Sequence, residues 1–134
     1  MVFRRITIIK VRQSHEPDVN EQLQVIGASL GLFSLRDKDR SCFRIFITLI
    51  HSMRQGAQLS SDEIAHLTGL TRGTVVHHLN KLMAGGIVEM DRGRYVLTFN
   101  SIEELINRVE TNVQKTLEGL RVTAQDVDDK LKLN

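Results

Sequence analysis

One short stretch of the chain, and a turn that follows it, collect side chains suited to a polyanion with readable edges. Between positions 71 and 81 stand Thr71, Arg72, Gly73, Thr74, Val76, His77, Asn80 and Lys81, and Arg92 and Arg94 follow in a charged tetrapeptide. An arginine can fork onto the two acceptors of guanine, an asparagine can pair with adenine or hold a phosphate, and a valine can touch a thymine methyl. Thr71, Thr74, His77 and Lys81 suit phosphates or base edges, and Arg92 and Arg94 suit phosphates or the minor groove. Gly73, lacking a side chain, would let the backbone come close.

Such chemistry needs elements that turn these groups outward together. Ser60-Ser61-Asp62-Glu63 offers a helix cap followed by acids that suit a helix N-terminus, with Ile64, Ala65 and Leu67 as the expected buried face. Thr68-Gly69-Leu70 reads as a three-residue stop with glycine available for positive φ. Thr71 can cap a second helix from about Arg72 to Met83, in which Val75, Leu79 and Leu82 recur at core spacing, and Gly85-Gly86 ends it. The opposite face then carries Arg72, Gly73, Val76, His77, Asn80 and, at its edge, Lys81. Ile87 to Met90 and Tyr95 to Thr98 are short β-type runs around Asp91-Arg92-Gly93-Arg94, the pattern of a hairpin. Two short helices about a glycine turn describe a helix-turn-helix, and the hairpin makes it winged.

The flanks supply the support. From about Arg40 to Met53 apolar residues cover most of a helix circumference, which places that helix in the centre of a domain or between subunits, and Asp37 or Asp39 could cap it. Before it, residues 2–12 read as a strand that could pair with the wing, with a symmetry mate or with nothing. Pro17 could open a helix in which Val19, Leu23, Ile26 and Leu30 form one stripe, ended by Gly31, and the polar run Ser34 to Asp39 is a connector. After the hairpin, Ser101 caps a long helical segment with Glu103 and Glu104 in its first turn. It bears a stripe of Ile102, Leu105, Ile106, Val109, Val113, Leu117, Leu120, Ala124, Val127 and Leu131, with a stutter between 113 and 117. A stripe of that length needs a partner: a second copy, or the N-terminal helix of the same or another subunit.

Composition narrows the class. The 134 residues carry a formal net charge of +2, so charge permits nucleic-acid contact without requiring it. No apolar run approaches a membrane span and no signal-type block opens the chain, so a cytoplasmic protein with no membrane partner is expected. The single cysteine, Cys42, cannot form an internal disulfide and sits in an apolar helix. His15, His51 and His66 are scattered, and His77 and His78 are adjacent on a helix and so point apart. No metal site and no cofactor are expected. Asp126, Asp128 and Asp129 read as solubilising acids. Glu63 and His66 lie on one side of a helix but are explained by capping and solvation, and no phosphate loop, nucleophile elbow or zinc-hydrolase motif is present, so no enzyme is expected.

The run from Leu59 to Ala65, then Thr71 to Leu82 and Gly86-Ile87-Val88, resembles the winged-helix regulators of the ArsR type, archaeal ones in particular, over roughly residues 41–98. The resemblance implies a winged helix (37–100) in a mainly α fold with a small β-wing; the residue patterns around it add an N-terminal strand and helix (1–36), for packing or dimerisation, and a C-terminal helix (101–134) expected to dimerise through Ile102, Ile106, Val109, Val113, Leu117, Leu120, Val127 and Leu131. It also implies a homodimer that binds double-stranded DNA sequence-specifically, with residues 71–83 in the major groove. The paired-cysteine and C-terminal histidine metal sites of that family are absent. A protein-interaction scaffold, or an architectural DNA- or RNA-binding module, would use the same outward face.

Overall fold

The computed structural model describes residues 18–33 and 40–134. They form α1 (Val19–Ser29), α2 (Ser41–Arg54), α3 (Ser61–Thr68), α4 (Arg72–Ala84), the antiparallel strands β1 (Val88–Asp91) and β2 (Arg94–Leu97), and α5 (Ile102–Leu131). This is a winged helix-turn-helix followed by a long helix. The strand expected at 2–12, the Pro17 helix start, His15 and the connector with Asp37 and Asp39 lie outside the described residues. The residue that precedes α2 as its N-cap is Arg40, at φ 52°, with no side-chain cap bond.

The chain divides into two compact units, one ending at Asn100 and one running from Ser101 to Asn134. In the first, α2 packs against α1, α3, α4 and β2. Its Ile45, Phe46 and Leu49 are almost wholly buried, as are Ile64 of α3, Val75, Leu79 and Leu82 of α4, and Ile87 and Phe99 beside the hairpin. Each such side chain contributes roughly 1.5–3 kcal/mol through burial. Cys42 belongs to this core at 1% exposure, its thiol 3.6 Å from the Leu32 carbonyl oxygen.

Helix α1 buries Leu23 of the expected stripe, and Leu30 at its end, but adds small and polar residues to the inner face. Val19 is exposed and Ile26 half-buried, while Leu23, Gln24, Gly27 and Ala28 are buried. The reason is Phe33, whose ring stacks edge-on against Phe43 at 5.5 Å and near Phe46 at 6.0 Å. A Cβ built on Gly27 would fall 1.9 Å from the Phe33 ring, so the small residues, and not the large ones, mark the contact line. Gly31, at φ 72°, ends the helix as expected.

Helix α3 also departs in one respect: Ile64 and Thr68 are buried but Leu67 is 62% exposed. Thr68 stays inside because its hydroxyl donates to the Ile64 carbonyl at 2.7 Å, so the inner line of this two-turn helix runs through i and i+4 and leaves Leu67 outside.

The hairpin turn consists of Arg92 (φ 54°) and Gly93 (φ 77°), with Asp91 opposite Arg94. Two successive positive φ angles are the mark of a type I′ turn, whose twist suits a two-residue hairpin. An isolated bridge between Leu59 and Tyr95 adds the residue before α3's cap to the same ladder, with Tyr95 N–H donating to the Leu59 carbonyl at 2.7 Å.

In the second unit, Ser101 accepts the Glu104 amide at 3.1 Å and caps a 30-residue helix, about 45 Å long at the usual rise. Its pairs Glu104–Arg108 (2.6 Å) and Asp126–Lys130 (2.9 Å) have i, i+4 spacing. Leu105 and Val109 are buried. Ile106, Leu117, Leu120, Val127 and Leu131 are exposed, and Ile102 and Val113 are half-buried.

Candidate nucleic-acid interface

The interface candidate begins with how α3 and α4 are started and stopped. Ser60 and Glu63 form a full capping box: the Glu63 amide donates to Ser60 Oγ at 3.1 Å, and the Ser60 amide to Glu63 Oε1 at 3.4 Å. At the other end Gly69 takes φ 72°, and the Arg44 guanidinium of α2 donates to the Thr68 carbonyl, placing a cation at the helix C-terminus. Thr71 then caps α4, accepting the Thr74 amide at 3.2 Å and donating its hydroxyl to Thr74 Oγ1 at 2.9 Å. The Thr71 hydroxyl thus serves the helix start as both acceptor and donor, and Thr74 Oγ1 as an acceptor.

With Val75, Leu79 and Leu82 buried, Thr71, Arg72, Gly73, His77, Asn80 and Lys81 are exposed, and Thr74 and Val76 half-buried. His78 is half-buried, its ring 5.3 Å from that of His77. Gly73 is informative because nothing inside the unit asks for it: a Cβ there would meet no atom within 4 Å, and its φ is not left-handed. The backbone there is open to close approach from outside the unit.

Two of the expected basic contacts have partners on α3. Arg72 Nε lies 3.5 Å from Asp62 Oδ1, with both side chains mostly in solvent, an arrangement worth well under 1 kcal/mol. Arg94 is held more firmly: its Nη1 donates to Glu63 Oε1 at 2.7 Å and to the Gln58 carbonyl at 2.9 Å. Glu63 is held below the ordinary glutamate value chiefly by its hydrogen bonds with Ser60; desolvation opposes them, and the Arg94 guanidinium adds a lesser lowering. Arg92 occupies the tip of the turn and is exposed.

Sequence reasoning missed three of these features. The Arg94–Glu63 pair and the Leu59–Tyr95 bridge join residues more than thirty positions apart and leave no local trace. The Arg44 clamp had a signal, a lone charge inside the apolar run of α2. The exposed Leu67 is flanked by two open clefts, of about 280 Å³ beside Phe43, Arg44 and Ile47 and about 300 Å³ beside His51, Gln55 and Leu59. Among the described residues, no three His, Cys, Asp or Glu side chains are grouped to hold a metal ion.

Residues 47–90, from mid-α2 to the third residue of β1, match the family model described as bacterial regulatory protein, arsR family. Over this stretch, about a third of the chain, the sequence is similar to that family. The match spans the capping box, the glycine turn and the whole of α4. A helix-turn-helix similar to that family supports a DNA-binding regulator of transcription. No curated protein and no solved structure matches the chain significantly. No helix among the described residues is long and apolar enough to cross a membrane.

Proposed function

We propose that this protein is a homodimeric, sequence-specific DNA-binding regulator of transcription, working in the cytoplasm, that seats α4 in the major groove and uses the hairpin as its wing. The observation that carries the reading is the outward face of α4, where exposed Arg72, His77, Asn80 and Lys81 surround a glycine that the fold itself does not need. In a helix-turn-helix the N-terminal part of the second helix meets base edges. Arg72 then forks onto guanine, Val76 touches a thymine methyl and Asn80 reads adenine or holds a phosphate. Thr71, Thr74, His77 and Lys81 line the phosphates at its margins, and the wing adds the arginine at its tip, Arg92.

Dimerisation is assigned to α5. Ile106, Leu117, Leu120, Val127 and Leu131 leave an apolar line exposed to water, and a second copy of the helix would cover it together with half-buried Ile102 and Val113, whereas Val109 is already buried within the chain. Two copies about a two-fold axis present two α4 helices to half-sites about 34 Å apart, which calls for a pseudo-palindromic target. The reading needs neither metal nor cofactor.

Titration of the full chain into labelled duplex DNA at increasing salt tests the proposal. Affinity falling steeply and linearly on a log–log plot supports it, whereas undetectable binding at low salt rejects it. A second reading, a protein-interaction module, is favoured by exposed Leu67 and its flanking clefts. It predicts variants at Leu67 that abolish function while DNA affinity is untouched.

A further inference from the structure

The two arginines of the wing stand in different surroundings. Arg92 lies at the turn itself and forms no ion pair with the described residues, whereas Arg94 is half-exposed and engaged at one nitrogen by both the Glu63 carboxylate and the Gln58 carbonyl. Glu63 Oε1 is at once the acceptor for Arg94 and for the Ser60 amide of the capping box. Next to this junction Leu59 and Tyr95 exchange both backbone hydrogen bonds. The start of β2 is thus tied to residues 58–63 by main chain at one residue and by an ion pair at its neighbour.

We infer that Arg94 and Glu63 are a positioning pair: together they fix the wing on the N-terminus of α3, so that Arg92 and not Arg94 is the wing cation turned toward DNA. The inference rests on the DNA-binding reading above. If Arg94 were a phosphate ligand, Glu63 would compete for it and add repulsion, so neutralising Glu63 would tighten DNA binding. If the pair positions the wing, neutralising Glu63 loosens the hairpin and weakens binding, although a negative charge has been removed. Glu63→Gln isolates this effect, because glutamine still accepts the Ser60 amide and keeps the capping box.

The test uses the full chain and a fluorescein-labelled random-sequence duplex, read by anisotropy over a salt series, with Glu63→Gln, Arg94→Ala, their double variant and Arg92→Ala. Positioning predicts that Glu63→Gln and Arg94→Ala each weaken binding about three- to tenfold, with the wild-type salt slope, and that the double variant is no weaker than either. Arg92→Ala alone should make the slope shallower, by about one phosphate contact. Tighter binding by Glu63→Gln, or a shallower slope for Arg94→Ala, overturns the inference. Amide exchange over Met90–Tyr95 is measured in the same proteins without DNA. Faster exchange in both single variants supports the pair, and wild-type exchange overturns it. If the wild-type chain does not bind the duplex, the DNA-binding reading fails while exchange still decides whether the pair positions the wing.

Discussion

Arg72 lies one residue after the cap of α4, its guanidinium only loosely engaged by Asp62, and is therefore available for a bidentate base contact at little cost. Arg72→Ala is expected to weaken binding to a selected site by about 1–3 kcal/mol and to relax preference at one base position. Binding and base preference equal to wild type would remove it from the contact set. Glu63 gives a prediction in pH. Its folded value is lowered, so its contribution to stability is present above the unfolded glutamate value and is lost as pH falls through the lowered folded value. Urea midpoints followed from neutral into the acid range should fall more for wild type than for Glu63→Gln, and parallel curves would contradict the linkage. At this scale the sequence announces type and side but not company: the exposure of Arg72 and Asn80 follows from the spacing of Val75, Leu79 and Leu82, whereas the holding of Arg94 by Glu63 depends on tertiary folding.

The elements were legible where a backbone requirement coincides with a residue choice. Ser60, Thr71 and Ser101 cap α3, α4 and α5, and Gly69 takes the positive φ that stops α3. Ser60→Ala should therefore cost about 0.5–2 kcal/mol in a denaturation experiment, and a neutral result would show that Glu63 alone secures the helix start. Apolar spacing was less reliable in the short helices. Ile64 and Leu67 both fit a buried face, but a two-turn helix offers one inner line and the Thr68 hydroxyl claimed the second place on it. In α1 the stripe of large residues finds Leu23 and Leu30 but misses the seat of the Phe33 ring on Gly27, a close approach that no periodicity encodes. Gly27→Ala should destabilise the protein by about 1–3 kcal/mol, since the ring is wedged against Phe43 and Phe46 and has little room to yield. An unchanged unfolding midpoint would mean that the cluster repacks freely.

At the scale of the whole molecule the proposal is that one winged helix reads half a site and α5 holds a second copy beside it. The long helix itself follows from Ser101, the acidic first turn and thirty residues without proline. What covers Leu117, Leu120, Val127 and Leu131 is a property of an assembly and is written only as an apolar line. Deleting residues 101–134 should convert a dimer to a monomer in sedimentation, and a truncated chain that stays dimeric would move the interface to the N-terminal segment. The most direct measurement is selection of bound fragments from random duplex DNA by the full chain at two salt concentrations, in parallel with Arg72→Ala. The account predicts that wild type enriches a two-fold-related motif with half-sites about one helical turn apart, most sharply at the higher salt, and that Arg72→Ala loses one conserved base in each half. Fragments no different in sequence from the starting pool would contradict it.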